Sequence, residues 1–142
     1  MITLEEALSM GINAPKAHQR VIAKLTTRLM NLYEQKRISL EPLPKTMLDE
    51  SQTSPTPDLS LYDNQNAQTP VIIEVAHSDG VKNDLKKIRR LIEETEYGIV
   101  EGFVYDYKKN EWRKHKKGIG DIHDKPSFCD ILNLDFSTLL ER

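Results

Sequence analysis

The stretch "PVIIEVAH", residues 70–77, restricts this chain more than any other. A short, nearly unbroken apolar run rich in β-branched residues is the pattern of a strand covered on both faces, the central strand of a sheet flanked by helices. This run carries a carboxylate in its middle. Side chains alternate along a strand, so Ile72, Glu74 and Ala76 share one face and Val71, Ile73 and Val75 the other. An ionised carboxylate among such neighbours is costly unless it is ion-paired, hydrogen-bonded or bound to a metal. A basic partner, or a place near the strand end that water reaches, would satisfy Glu74 as well as a metal would.

The surrounding segments supply the rest of an α/β sandwich with a mixed sheet. Residues 3–10 read as a short helix with Thr3 as cap and Glu6 completing a capping box, broken by "GINAP". From Ala17 to about Lys36, Val21, Ile22, Leu25, Leu29, Leu32 and Tyr33 make the stripe of an amphipathic helix. "RISLEPLPKTML" alternates, but Pro42 and Pro44 confine it to an edge or irregular strand. Residues 49–57 form a polar loop, "DLSLY" a strand and "DNQNAQT" a turn. Helical period returns over 81–96 with Val81, Leu85, Ile88, Leu91 and Ile92. "GIVEGFVYDY" and "EWRKH" then form a hairpin turning at Lys108–Asn110. The tail from Pro126 reads as one or two helical turns closing over an open sheet edge. At 142 residues the whole chain, 1–142, is expected to be one domain, with 126–142 as its closing segment and no separate DNA-reading module.

Twenty basic residues against 22 acidic leave a net charge of −2, so any affinity for nucleic acid has to come from a local basic face. The single cysteine, Cys129, excludes an internal disulfide and a multi-cysteine zinc site within one chain, and it suits a reducing compartment. No stretch approaches the ~20 apolar residues of a membrane span. The N-terminus lacks the basic and apolar regions of a signal peptide. A cytoplasmic protein without a membrane partner is the expectation.

Asp58 gives Glu74 company. It opens the strand before the glutamate strand, just after Pro57, and the intervening turn brings the two strands alongside. Two acids then converge at one end of a sheet. Hard oxygen ligands with few protein contacts suit Mg²⁺, which keeps its other positions for water and phosphate. The plainer reading of Pro57-Asp58 is a turn closed by an Asx hydrogen bond. A phosphate-hydrolysing site also calls for a cation to steady developing charge. Residue 76 faces the same way as Glu74, but it is alanine. The helix over 81–96 offers Lys82, Lys86 and Lys87 instead. At about 100° per residue, Lys86 and Arg90 point away from the core, whereas Lys87 flanks the apolar arc beside Leu91 with Asp84 one turn earlier. Lys87 is the expected cation and Lys82 the reserve, against the plainer reading of a solvated surface lysine.

Pro57-Asp58, Glu74 in "VIIEV" and Asp84-Leu-Lys-Lys87 on the next helix resemble the PD-(D/E)xK restriction-endonuclease-like superfamily. The resemblance is greatest to its small stand-alone bacterial members, a domain-of-unknown-function group of candidate restriction endonucleases. In that group a helix beginning near a histidine precedes the PD strand. The glutamate strand reads "vvEV", the lysine sits on the following helix, and an aromatic-rich hairpin comes next. Here His18, "PDLSLY", "VIIEVAHSDGVKNDLKK" and "GFVYDY" fall in that order, across residues 17–114. Three departures stand out. Glu74-Val75-Ala76 has no strand lysine, the spacing to Lys87 is one residue shorter, and Ala76-His77-Ser78 stands where the group often carries Ser-Pro. The resemblance implies a restriction-endonuclease-like mixed central sheet flanked by helices and hydrolysis of DNA phosphodiester bonds. It implies Mg²⁺ or Mn²⁺ held by Asp58, Glu74 and the backbone carbonyl of Val75, with Glu74 helping to position the water and Lys87 orienting the nucleophile or steadying the developing phosphorane-like charge. Sequence specificity would then require a partner or, as expected here, a homodimer.

Other side chains compete for roles. His18 borders its helix's apolar stripe and either packs there or, with Gln19, lines the site, as the resemblance suggests. His77 follows the glutamate strand and could add a ligand or contact phosphate. His115 and His123 lack reliable ligand spacing. Within residues 105–117, Lys108, Lys109, Arg113 and Lys114 interleave with Trp112, a pattern that suits phosphates and stacked bases. Lysines on an exposed hairpin also guard a sheet edge against aggregation. Two further readings stand beside the nuclease. One is a nuclease-derived binding or regulatory domain with weak or absent chemistry. The other is a protein-interaction domain in which Asp58 and Glu74 lie far apart.

Overall fold

A chain whose central strand is apolar on both faces needs cover on both, and two helices supply it in the computed structural model, which describes residues 15–51 and 53–141. The helix expected over 3–10 lies outside those residues. Helix α1, Lys16–Glu34, buries Ile22, Leu25 and Leu29, three positions of its predicted stripe. Six strands follow in one sheet: β1 (Glu41–Pro44), β2 (Leu59–Asp63), β3 (Gln68–Ala76), β4 (Glu101–Asp106), β5 (Glu111–Lys116) and β6 (Gly120–Ile122), in sequence order across the sheet. All neighbours are antiparallel except β3 and β4, whose parallel pairing needs a crossover. That crossover is helix α2, Val81–Glu93, entered through a 3₁₀ turn at Ser78–Gly80. Among the described residues no helix is long and apolar enough to cross a membrane.

The alternation along β3 divides the core as expected. Val71, Ile73 and Val75 pack with α1, Phe103 and Trp112, while Ile72 and Ala76 pack with Ile88, Leu91 and Ile92 of α2. Gly102 on β4 lets α2 approach closely. A Cβ there would stand 2.3 Å from Ile88 Cγ2 and 3.0 Å from Ile92 Cδ1, closer than packed atoms tolerate.

The tail departs from its expectation. Strands β7 (Phe128–Cys129) and β8 (Leu134–Asp135) form a small ribbon, and a 3₁₀ helix, Phe136–Leu140, packs against α1 rather than over a sheet edge. Its apolar side chains decide this. Phe136 is buried with its ring 4.9 Å from that of Phe103, and the Arg28 guanidinium donates to the carbonyls of Leu139 and Glu141. The edge is occupied by β6, a three-residue strand that "GIGDI" does not advertise because its glycines interrupt any alternation. Fully buried Glu101 ties the ribbon down, accepting from the N–H groups of Asp130 (2.8 Å) and Ile131 (3.1 Å) and from the Lys114 ammonium (2.8 Å). Cys129 packs beneath it, where burial and the charge of Glu101 push its thiol pKa up.

Candidate active site

Strand register brings the two carboxylates together. Leu59 lies opposite Ile73 in the antiparallel β2–β3 pair, so Asp58, one residue before β2, falls beside Glu74 and Val75. The N–H of Val75 donates to Asp58 Oδ2 at 2.9 Å, and the N–H of Asp58 donates to Glu74 Oε1 at 3.3 Å. Both acids are buried, at 6% and 4% exposure. Three cationic or titratable groups reach them from other elements. His18, in the first turn of α1, places Nε2 3.3 Å from Asp58 Oδ2, and its Nδ1 lies 3.2 Å from Gln19 Oε1. Lys87, on α2, donates from Nζ to Glu74 Oε1 at 3.4 Å. Lys45, just beyond β1, donates from Nζ to Asp58 Oδ1 at 2.7 Å.

The two acids are driven apart in strength. Burial alone would push Asp58 up, but hydrogen bonds from His18, Lys45 and the Val75 N–H outweigh it and hold the carboxyl well below its usual range. Glu74 goes the other way. Burial first, then the charges of Asp58 and Asp84, push it up to about 7 against the pull of Lys87. Asp84 is raised as well, by burial and by Asp58, with Lys87 opposing. His18 is raised by its bond to Asp58, which exceeds the effect of its own burial. Burial and the neighbouring carboxylates thus favour the acid form of Glu74, while the bonds that Asp58 accepts favour its ionised form.

A hard divalent cation would offset the charge of two carboxylates held this close together. Among the described residues no group of three or more His, Cys, Asp or Glu side chains is disposed to hold a metal ion. A cation here would therefore rest on Asp58 and Glu74, with water and phosphate for the remainder, a donor set that fits Mg²⁺. Val75 touches the site through its N–H, and its carbonyl belongs to the same stretch of β3. Lys87 also lines a groove of about 620 Å³ beside α2, together with Asn83, Lys86, Arg90 and Pro55. A larger cleft of about 810 Å³ lies at the far end of α1, around Tyr33, Arg37 and Asp63, and includes none of the site's side chains.

Several expected residues stand elsewhere. Among the described residues no hydrogen bond or ion pair joins Lys82 or His77 to Asp58 or Glu74. Lys82 lines a shallow groove with Ser78, Asp106 and Lys109. The Nδ1 of His77 accepts from the Asp79 N–H at 3.3 Å and so caps the 3₁₀ turn. The hairpin patch is smaller than expected, because β5 turns Trp112 and Lys114 inward. Trp112 is 8% exposed, with Tyr105 at 4.7 Å and Phe136 at 6.0 Å between ring centroids. Lys114 is 3% exposed and held by Glu101, Asp130 and the Phe128 carbonyl. Only Lys108, Lys109 and Arg113 of the five remain on the surface, and Arg113 faces Glu111 at 3.9 Å. His115 is buried and bridges Asp121 (2.8 Å) and Glu93 (3.1 Å), joining the sheet to α2. Sequence reasoning missed Lys45. Its place follows from Pro44 pairing with Leu59, a register that sets residue 45 beside residue 58 and lets the Lys45 N–H donate to the Asp58 carbonyl at 3.1 Å.

No family model matches the chain, and no curated protein matches it in sequence. Solved structures do. The fold is similar to that of a candidate nuclease belonging to DUF820 from Anabaena variabilis, with a TM-score of 0.66 over 88% of this chain and 80% of that one at 14% identity. It is also similar to part of the type IIG restriction endonuclease BpuSI, with a TM-score of 0.53 at 13% identity, covering 87% of this chain but only 15% of that one. The six-stranded mixed sheet with its two helices is a restriction-endonuclease-like fold, as the resemblance implied.

Proposed function

We propose that this chain is a metal-dependent nuclease that hydrolyses DNA phosphodiester bonds, with Mg²⁺ or Mn²⁺ held by Asp58 and Glu74. The observation that carries the reading is the buried pair itself: two carboxylates on adjoining strands, joined through each other's backbone, one of them raised to about 7 by its burial and then by the carboxylates beside it. An ion bound there would lower the pKa of a water and offset charge on the phosphate. The chain's own groups do the rest. Val75 N–H and His18 fix the Asp58 carboxylate, with Gln19 holding the other nitrogen of the imidazole. The Val75 carbonyl is the proposed backbone ligand. Lys87 steadies the attacked phosphate from one side while remaining in reach of Glu74. Asp84, one turn before it on α2, adds negative charge that raises the site's demand for a cation. Lys86 in the adjoining groove suits a neighbouring phosphate of a strand, as does Arg90 once it leaves Glu94, which lines the same groove at 3.2 Å from it. A homodimer would bring two such sites to one duplex.

The second reading is a nuclease-derived binding domain, favoured by Ala76 at the place of the strand lysine. One experiment separates them. Mn²⁺ is titrated calorimetrically into wild type and Asp58→Ala, and both are then incubated with single- and double-stranded DNA. Binding and nicking in wild type, both lost in the variant, are the expected result. Binding without nicking supports the second reading, and no Mn²⁺ binding by wild type overturns the cation site.

A further inference from the structure

We propose that Lys45 is a positioning residue of this site, its ammonium holding Oδ1 of Asp58 in direct competition with the divalent cation. The inference rests on the reading of Asp58 and Glu74 as cation ligands. The two oxygens of Asp58 are held differently. Oδ2 accepts from the Val75 N–H at 2.9 Å and faces His18 at 3.3 Å. The Val75 N–H is fixed by the β2–β3 pairing of Leu59 with Ile73 and Ser60 with Ile72, so it cannot withdraw without disturbing the sheet. Among the described residues Oδ1 has one partner, Lys45 Nζ at 2.7 Å. The oxygen a cation can take without loss of structure is therefore Oδ1, the one Lys45 covers.

Lys45 is also built to leave. Its side chain is 55% exposed against 9% for that of Asp58, so the released ammonium returns to water at little cost. Its stem lies largely in solvent, whereas its backbone N–H is bonded to the Asp58 carbonyl at 3.1 Å. The residue thus keeps its place beside the carboxylate while its charge swings off. A displaced ammonium remains at the mouth of the site, where a phosphate would approach, and supplies a positive charge that residue 76 does not.

The test uses the full chain and Mn²⁺ alone, titrated by calorimetry into wild type, Lys45→Met, Lys45→Arg, Lys24→Met and Asp58→Ala. Lys45→Met should bind Mn²⁺ about fivefold more tightly, the ratio a half-exposed ion pair supports. Lys45→Arg should stay near wild type. Lys24→Met removes the same charge from an exposed position on α1 and should change affinity less than about twofold, given screening at ordinary salt. A Lys45→Met affinity equal to or weaker than wild type, with binding still abolished by Asp58→Ala, overturns the role of Lys45 and leaves the cation site standing. Equal tightening by Lys24→Met overturns it too, because general charge would then account for the effect. Absence of Mn²⁺ binding in wild type overturns the cation site, and this inference with it.

Discussion

Glu74 is a carboxyl whose acid form the fold prefers, so Glu74→Gln should stabilise the metal-free protein at high pH. The shift runs from an ordinary 4.5 to about 7. Between those values the folded chain binds more protons than the unfolded one, and stability therefore falls as pH rises through that window. At about 1.4 kcal/mol for each pH unit, the cost of ionising Glu74 in place reaches about 3 kcal/mol above pH ~7 and vanishes below pH ~4. Glutamine has the shape of the protonated side chain, accepts from the Asp58 N–H as Glu74 does, and carries no charge to bury. The lost attraction of Lys87 is already contained in the shifted value. The variant should thus exceed wild type by about 3 kcal/mol at pH ~8, which for a chain of this size raises Tm by roughly 10 °C, and should match it at pH ~4. Urea or thermal unfolding in EDTA, followed by fluorescence of the one tryptophan, buried Trp112, reads this directly. A variant no more stable than wild type at pH ~8 would refute the reasoning, because Glu74 would then ionise without penalty. Saturating Mn²⁺ should reverse the order if Asp58 and Glu74 are the proposed ligands, since only wild type keeps both carboxylates.

Lys114→Met leaves Glu101 charged and buried without its ammonium, and should cost about 3–5 kcal/mol in urea unfolding. Adding Glu101→Gln should recover a large part of that loss, because the uncompensated charge goes with it. Gly102→Ala should destabilise by about 1–3 kcal/mol through overlap with Ile88 Cγ2 and Ile92 Cδ1, and Ile88→Ala, which removes that Cγ2, should cost less in the Gly102→Ala background than in wild type in the same assay. For DNA, replacing Lys86 and Arg90 together by Gln should flatten the salt dependence of affinity by about 1–2 phosphate contacts, measured by fluorescence anisotropy in Ca²⁺. The same exchange at Lys108 and Lys109 should flatten it less, because those residues stand on the hairpin turn, outside the groove that Lys87 lines.

What could be read from the residues was what local periodicity controls. Two-residue alternation placed Glu74 in β3 and divided its neighbours between two cores, and a short turn made Asp58 its neighbour. Helical phase singled out Lys87 over Lys86. The rest depends on partners distant in sequence. Lys45 meets Asp58 only because β1 pairs with β2 in one register, and nothing in "PLPKTM" encodes that register. Lys114 looks like a surface cation until Glu101 from the next strand and the ribbon at 128–131 enclose it. Trp112 was misplaced for the same reason, since the rings that surround it come from β4 and the 3₁₀ helix at the C-terminal end. Lys82 and His77 follow the glutamate strand closely in sequence, yet Lys82 lies along another groove, and His77 caps a turn while sharing the Tyr107 ring with His18.

The way Glu101 holds the C-terminal ribbon has a dynamic consequence. Burial of Glu101 and Lys114 depends on the ribbon lying down, and lifting it would let water back onto both charges. Rehydration repays part of the lost contacts, so this segment should open in a sub-global step below the free energy of whole-molecule unfolding. The amide hydrogens of Asp130 and Ile131, both donated to Glu101, would exchange together as its reporters. Those of Ile72 and Ile73, inside the central strand, should exchange only when the sheet itself comes apart.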